Sequence, residues 1–190
     1  MTKIAIWCRH NGDNIIGAEG CIPWSIPSDL KRFKALTIGN VLVIGKKTYE
    51  SLPNRTLPNR KFLVVTSDKN YEVADENNHH LVHDIAKLKD YPEDLYIAGG
   101  GAVYEAFFAT ASLMPDIVVD CVYMGKLSDT RLGKTVDVSK CVEIMKQKYF
   151  ALPKSYELDE VVTTIWLKKG DFVEQSVVKK IMQYLETEKK

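Results

Sequence analysis

The residues able to do chemistry gather between Ile16 and Phe33. Gly17 and Gly20 sit in a polar loop, where strained or mobile backbone is cheapest for glycine. Pro23 and Pro27 bracket Trp24, fixing φ at their own positions and restricting the residue before each. Pro27 suits a first helical turn, where its missing N–H costs nothing. Leu30, Phe33 and Leu36 recur at near-helical spacing, which predicts a helix with one buried apolar face. Asp29 lies beside Leu30 and four residues before Phe33, at the edge of that face. A glycine loop, a fixed tryptophan and a carboxylate facing apolar surface form one wall of a small-molecule pocket. An aspartate in a first helical turn also favours the helix dipole and nothing more, and these residues alone leave both readings open.

Two further stretches carry chemistry. Val41-Leu42-Val43-Ile44 runs straight into Gly45-Lys46-Lys47-Thr48. A strand, a glycine, then basic and hydroxyl residues opening a helix present N–H groups to a phosphate, although lysines at a strand end are more often simply solvated. Leu95-Tyr96-Ile97-Ala98 is followed by Gly99-Gly100-Gly101-Ala102-Val103-Tyr104. Three glycines between a strand and a helix let backbone amides approach a pyrophosphate, but the spacing is not G-x-G-x-x-G, and tight packing alone also explains such a turn. Together with the strand Phe62 to Val65, which ends at Thr66-Ser67, these turns make a nucleotide the favoured ligand. His79, His80 and His83 have no carboxylate or cysteine at ligand spacing; they read as loop residues and a helix start, and no metal site is expected.

The elements that must position these residues follow from the apolar pattern. Strands are expected at Ile4 to Cys8, at 41–44, at 62–65, at Leu81-Val82, at 95–98 and from Ile117 to Met124. Asp120 interrupts the last of these, a costly charge unless paired or facing a polar site. Asp68 to His80 reads as a polar surface loop, and His83-Asp84 as the opening of a helix through Leu88. Cys141 to Phe150 and Val161 to Leu167 read as a closing antiparallel pair. The fold class is α/β: a mostly parallel central sheet with helices on both faces, with ligands at the carboxyl ends of its strands. After Gly170, Val173, Val177, Val178, Ile181, Met182 and Leu185 form one helical stripe, which packs on the body or on a partner. Residues 1–169 are therefore read as one domain and 170–190 as a helical extension.

Composition excludes several classes. The chain has 190 residues, 45% hydrophobic and 27% charged, ordinary for a globular protein with a sizeable core. A net charge of +1 gives no electrostatic reason to expect nucleic acid or an anionic membrane. No basic segment precedes an apolar run at the N-terminus, and no stretch is apolar for long enough to span a bilayer. Cys8, Cys21, Cys121 and Cys141 form no CxxC pair, so a cytoplasmic protein with free thiols is expected.

Taken together, the motifs resemble those of the dihydrofolate reductase family, over about residues 3 to 169 on ordinary domain-size expectations. They are Ile16-Gly17 with Pro23-Trp24-x-x-Pro27-x-Asp29-x-x-x-Phe33, Gly45-x-x-Thr48-x-x-Ser51, Leu57-Pro58-x-Arg60 and Gly99-Gly100-Gly101-x-x-Tyr104. In this order and spacing they are highly specific. The resemblance implies NADPH-dependent reduction of 7,8-dihydrofolate to tetrahydrofolate, with antifolate inhibitors as further ligands. Asp29 would bind the pterin amino group and ring N–H and favour protonation at N5, as a carboxylate accepting two charge-assisted bonds can. Its burial should raise its pKa. Trp24 would steer water near that carboxylate.

The same resemblance places Trp7, Cys8, Leu30, Phe33 and Leu52 around the pterin and benzoyl group, and gives Arg60 the glutamate α-carboxylate. Ile16 and Gly17 to Cys21, with Gly20 and Ile22, would close over nicotinamide, which Cys8 and Ala98 also approach. Gly45, Lys46, Lys47, Thr48, Val65, Thr66 and Ser67 would meet the cofactor phosphates and ribose. Gly100, Gly101, Ala102, Val103 and Tyr104 would follow the pyrophosphate and nicotinamide. A monomer is expected, with the C-terminal helix as the surface available for self-association.

Two departures stand out. The family usually has a threonine in the strand after the glycine turn, hydrogen-bonded to the pterin-binding carboxylate. Counting back from Asp129-Thr130 puts Asp120 there; counting forward from Asp116 puts Cys121 there. Asp120 is preferred because it keeps Ile117 to Val119 apolar and in register, and it would put two carboxylates in one pocket, one of them protonated near neutral pH. The second departure is the helix after Gly170, absent from compact family members. A pyrimidine reductase of riboflavin synthesis shares the fold and cofactor site but not normally the Trp24 to Asp29 arrangement with Arg60. A non-catalytic folate- or nucleotide-binding module would lack the carboxylate or the nicotinamide-facing glycines, and both are present.

Overall fold

The apolar runs become strands in a computed structural model, which describes residues 1–127 and 133–187. In chain order the elements are β1 (Lys3–His10), β2 (Ile15–Ala18), α1 (Pro27–Thr37), β3 (Val41–Gly45), α2 (Lys46–Ser51), β4 (Lys61–Val65), β5 (His79–Val82) and β6 (Leu95–Gly99). They continue with α3 (Gly101–Ala109), β7 (Ile117–Tyr123), β8 (Thr135–Asp137), α4 (Ser139–Lys148), β9 (Tyr149–Leu158), β10 (Val161–Lys168) and α5 (Gln175–Thr187). Eight strands form one sheet in the order β5-β4-β3-β6-β1-β7-β10-β9. From β5 to β7 the neighbours pair parallel, and β10 is antiparallel to both β7 and β9. The expected mostly parallel α/β sheet with a C-terminal antiparallel pair is therefore present. The short β2 and β8 make a separate antiparallel ribbon that hydrophobic pattern did not announce, since β8 is exposed along its whole length.

Three expectations are corrected. Of the late strand expected over 141–150, only Tyr149 and Phe150 belong to one: Ser139–Lys148 is a helix, with Cys141, Val142 and Met145 buried at helical spacing. The antiparallel partner of β10 is β9, joined to it by Asp159 and Glu160 with φ of 48° and 60°, the left-handed pair that a two-residue hairpin turn requires. His79 is not on a surface loop but opens β5, where it is buried with its Nδ1 2.8 Å from the Tyr49 hydroxyl. The helix expected from His83 is a single 3-10 turn over Ile85–Leu88, started by the Asp84 side chain accepting from Ala86 N at 2.9 Å.

Side chains alternate across the sheet and divide the core in two. Ile4 and Ile6 of β1, with Val119, Cys121 and Tyr123 of β7, share a layer with Leu36 of α1 and with α5. Ala5 and Trp7 of β1, with Val118 of β7, share the other with α3 and α4. Asp120 belongs to that second side, where its charge is fully engaged. Its Oδ1 accepts from Trp7 Nε1 at 2.7 Å and from Arg9 Nε at 2.8 Å, and its Oδ2 accepts from Arg9 Nη2 at 2.9 Å. Arg9 Nη1 continues to Asn14 Oδ1 at 2.7 Å, tying β1 to the segment that leads into β2.

The stripe of α5 is consumed within the chain. Val177, Val178, Ile181 and Leu185 are buried in the layer that contains Leu36, and the Tyr184 hydroxyl reaches the Lys31 carbonyl of α1 at 3.4 Å. Among the described residues no helix is long and apolar enough to cross a membrane. Residues 188–190 of the expected extension lie outside the described residues.

Two stability predictions follow from this packing. Asp120→Asn leaves the Arg9 guanidinium without its counter-charge and should cost about 3 kcal/mol, read from urea unfolding. Burial holds the His79 imidazole pKa below its ordinary 6.5, so the neutral ring is favoured in the fold. The stability this contributes is complete above 6.5 and declines as pH falls, because the unfolded chain takes up the proton first. The urea midpoint should therefore drop less on acidification in His79→Gln than in the parent chain.

Candidate active site

Helix α1 carries the site. Pro27 occupies its first turn, after Ile26 in extended backbone, so the chain enters the helix at a fixed angle. Ser28, Arg32 and Leu36, four residues apart, are the face turned inward. Asp29 and Phe33 are half-buried beside that face, while Leu30 is 57% exposed. The expected single buried stripe through Leu30, Phe33 and Leu36 is thus corrected: Leu30 looks into an open cleft. Ile22, Trp24, Ser25, Ile26, Asp29 and Leu30 line this cleft of about 140 Å³, and among the described residues Asp29 is its one ionisable side chain. A second cleft of about 160 Å³, between Thr2 and Phe172, lies at the amino ends of the strands, away from every residue expected to do chemistry.

Beneath Asp29 the sheet contributes Cys8 and Cys121, which face each other in register on β1 and β7. Burial, and then the Asp29 charge, pushes the Cys8 thiol far above its ordinary range. Cys121 is pushed up to about 12, by burial first and then by Asp29, and its sulfur accepts from Thr163 Oγ1 at 3.4 Å. Both are neutral thiols at physiological pH. Arg32 completes the group, with Nη1 3.6 Å from Asp29 Oδ1.

The expectation that Asp120 shares the pocket with Asp29 is therefore overturned, and Cys121 faces Asp29 instead. A strand reverses its side chains at each residue, so a count that slips by one selects the wrong face. The count that favoured Asp120 began at Asp129-Thr130, which lie outside the described residues. Trp7 is corrected for the same reason. Its ring does not line the Asp29 pocket but packs on the other layer, edge-on to Tyr104 with centroids 5.2 Å apart. Sequence reasoning missed Arg32 and Thr163. Arg32 was detectable, since a cation three residues after Asp29 on a helix is its neighbour; Thr163 had no signal.

Around the cleft, the Trp24 ring lies tilted against that of Tyr123 with centroids 5.3 Å apart, and its indole N–H is buried with no acceptor among the described residues. Ile16 and Gly17 lie on β2, which β8 holds in place. Ala18 and Cys21 then exchange both backbone bonds, at 2.8 and 2.9 Å, around Glu19 and Gly20 with φ of 49° and 81°. That tight hairpin explains the glycine at position 20. Leu52 and Phe33 are half-buried against the same layer. Arg60 is 7% exposed, donating to Thr37 Oγ1 at 3.0 Å, to the Pro58 carbonyl at 2.9 Å and to the Lys34 carbonyl at 2.9 Å. Three of the five N–H donors of a guanidinium are thereby used to fix it at the end of α1.

The glycine turns meet. A Cβ placed on Gly100 would stand 3.0 Å from Thr48 Oγ1, and one on Gly45 would meet Val103 at 3.2 Å with the Gly99 carbonyl at 3.9 Å. The carboxyl ends of β3 and β6 thus form one backbone cradle that side chains would fill, as a pyrophosphate site requires. A Cβ on Gly101 would strike Val136 of β8 at 2.7 Å. Val103 and Tyr104 are buried behind the cradle, with the Tyr104 hydroxyl donating to the Ile6 carbonyl at 2.6 Å, while Ala102 is exposed and Ala98 half-buried. At the end of β4, Thr66 is buried, Val65 half-buried and Ser67 exposed. Lys47 is exposed; Lys46 pairs with Asp68 at 2.9 Å and lies 4.4 Å over the Tyr71 ring.

Comparison with known proteins bears on the same elements. The dihydrofolate reductase family profile matches residues 3–148. A dihydrofolate reductase from Enterococcus faecium is 33% identical over 135 residues, 69% of this chain and 77% of that protein. One from Staphylococcus aureus is 34% identical over 122 residues, 64% of this chain and 74% of that protein. A solved structure of dihydrofolate reductase from Enterococcus faecalis, complexed with NADP(H) and RAB-propyl, superposes with a TM-score of 0.72 at 25% identity, covering 88% of this chain and 96% of that one. A carboxylate at the mouth of a cleft, a glycine cradle at the strand ends and a matching profile across both agree, and the chain belongs to the dihydrofolate reductase family.

Proposed function

We propose that this chain performs the reaction of its family, the NADPH-dependent reduction of 7,8-dihydrofolate to 5,6,7,8-tetrahydrofolate, with Asp29 receiving the pterin. The observation that carries the assignment is the position of Asp29, among the described residues the one ionisable group lining a cleft beside the carboxyl-terminal halves of β1 and β7. A carboxylate there accepts parallel bonds from the pterin amino group and ring N–H, and its charge favours a proton on N5. NADPH, when bound, supplies the hydride. Trp24 presents its buried indole N–H beside Asp29, which suits it to hold a water near the carboxylate. Cys8, Leu30, Phe33 and Leu52 are assigned to the pterin and benzoyl walls, and Arg60, anchored through three of its donors, offers the remaining two to the glutamate carboxylate.

For the cofactor, the cradle of Gly45, Thr48, Gly100 and Gly101 is assigned to the pyrophosphate. Lys46, Thr66 and Ser67 are assigned to the 2′-phosphate, with Lys47 and Val65 alongside. Ile16, Gly17, Gly20 and Ile22 form the loop over nicotinamide, which Ala98 and Cys8 approach from the sheet. Ala102 borders the groove, and Val103 and Tyr104 support it from behind. We assign residues 1–169 to the reductase domain and 170–190 to an added helix. Because the α5 stripe is covered by its own chain, we favour a monomer over self-association through that helix. Four free thiols suit a cytoplasmic protein. Neither a pyrimidine reductase of riboflavin synthesis nor a non-catalytic module accounts for Trp24, Asp29 and Arg60 together.

Asp29→Asn should retain NADPH binding and lose turnover of dihydrofolate by ~10²-fold or more at neutral pH, the usual loss when an acid–base group is removed. Near-normal turnover would contradict the role given to Asp29. If Lys46 serves the 2′-phosphate, Asp68 competes with that phosphate for it. Asp68→Asn should then lower the KM for NADPH by up to about fivefold, the scale of an exposed ion pair, with the KM for dihydrofolate unchanged. An unaltered KM for NADPH would remove Lys46 from the phosphate site.

A further inference from the structure

Arg32 occupies a position that the motif Asp29-x-x-x-Phe33 leaves open. It is 1% exposed, the most buried charged side chain of α1, and a guanidinium remains protonated at any physiological pH. A cation so buried needs a counter-charge. The groups facing it and Asp29 can be taken element by element. From β1 comes Cys8 and from β7 Cys121, both kept as neutral thiols, and both feeling the charges of Arg32 and Asp29. From β10 comes Thr163, whose hydroxyl is on Cys121. The segment before α1 brings Trp24 and no charge. Helix α5 meets α1 through Tyr184 at the Lys31 carbonyl. Asp120 is on the opposite face of β7, bonded to Arg9 and Trp7. Among the described residues, Asp29, with Oδ1 at 3.6 Å from Arg32 Nη1, is a carboxylate in place to neutralise Arg32.

We propose that Arg32 is a positioning residue of the reductase, holding Asp29 from beneath the cleft as a charged and oriented carboxylate. The inference rests on the assignment of Asp29 as the pterin-binding group and deepens it. Burial alone drives a carboxylate towards its neutral form, whereas an adjacent guanidinium favours the charged form. With one oxygen facing Arg32, the carboxylate keeps acceptor positions for the pterin, since an ionised carboxylate has about four lone-pair sites. The charge that favours a proton on N5 is then present before substrate arrives, rather than created by its binding.

The test reads Asp29 directly, by carbon NMR titration of the full chain labelled in aspartate, with the Asp29 signal assigned through Asp29→Asn. In the free parent chain Asp29 should titrate at or below the ordinary aspartate range. A midpoint clearly above that range would overturn the proposal. Arg32→Met, which keeps the stem and removes the charge, should move the midpoint upward by about one pH unit or more, together with the pH profile of hydride transfer. Arg32→Lys should restore most of the shift. A folded Arg32→Met chain with an unmoved midpoint would also overturn it. If Arg32→Met does not fold, the parent titration and Arg32→Lys still decide the matter. The titration needs neither cofactor nor turnover, so its failure would leave the reductase assignment standing, whereas failure of that assignment appears in the turnover of Asp29→Asn.

Discussion

A strand turns successive side chains to opposite faces, and in this molecule that period of two decides which charges meet. Cys8 and Cys121 look towards α1, while Trp7 and Asp120, one residue earlier on each strand, look towards α3 and α4. The sheet therefore keeps Asp120 and Asp29 on separate sides and gives each its own cation. Asp120 has Arg9, in a bonded pair with Trp7; Asp29 has Arg32, at 3.6 Å. Had the register of β7 slipped by one residue, two carboxylates would share a buried pocket and one would have to hold a proton.

Helix α1 translates this division into a working cleft. Its inward face packs on the sheet, its outward edge supplies Asp29, Leu30 and Phe33, and both its ends are fixed. Ile26 and Pro27 set the entry; at the exit, Arg60 bonds Thr37 and the Lys34 carbonyl. Helix α5 adds a brace on the same layer, through a stripe buried against the core and the Tyr184 contact at Lys31. The cofactor side has a different logic. There it is the absence of side chains at Gly45 and Gly100 that matters, because backbone from two strand ends must come close enough to share one anion.

Much of this was legible from residue types and spacing. The parallel strands were visible as short apolar runs, and the glycine turns and the Trp24 to Asp29 stretch located the cleft. What was not legible has identifiable causes. The helix at Ser139–Lys148 carries its buried Cys141, Val142 and Met145 in a composition that also suits a strand, and only the spacing distinguishes the two. The β2–β8 ribbon is held by backbone bonds between two short segments, and β8 is exposed along its length, which leaves no hydrophobic pattern. His79 is buried because Tyr49 and Phe62 close over it, a tertiary contact with no local signature. Asp120 and Trp7 each stand one residue before a position that faces Asp29, and on a strand one residue changes the face.

The proposed reduction of dihydrofolate by NADPH is assigned to the Asp29 cleft. It is tested most directly by adding dihydrofolate to the purified chain with NADPH and following the near-ultraviolet absorbance of the reduced nicotinamide. That absorbance is expected to fall in proportion to the dihydrofolate added. NADPH that binds yet is not oxidised when dihydrofolate is present would contradict it.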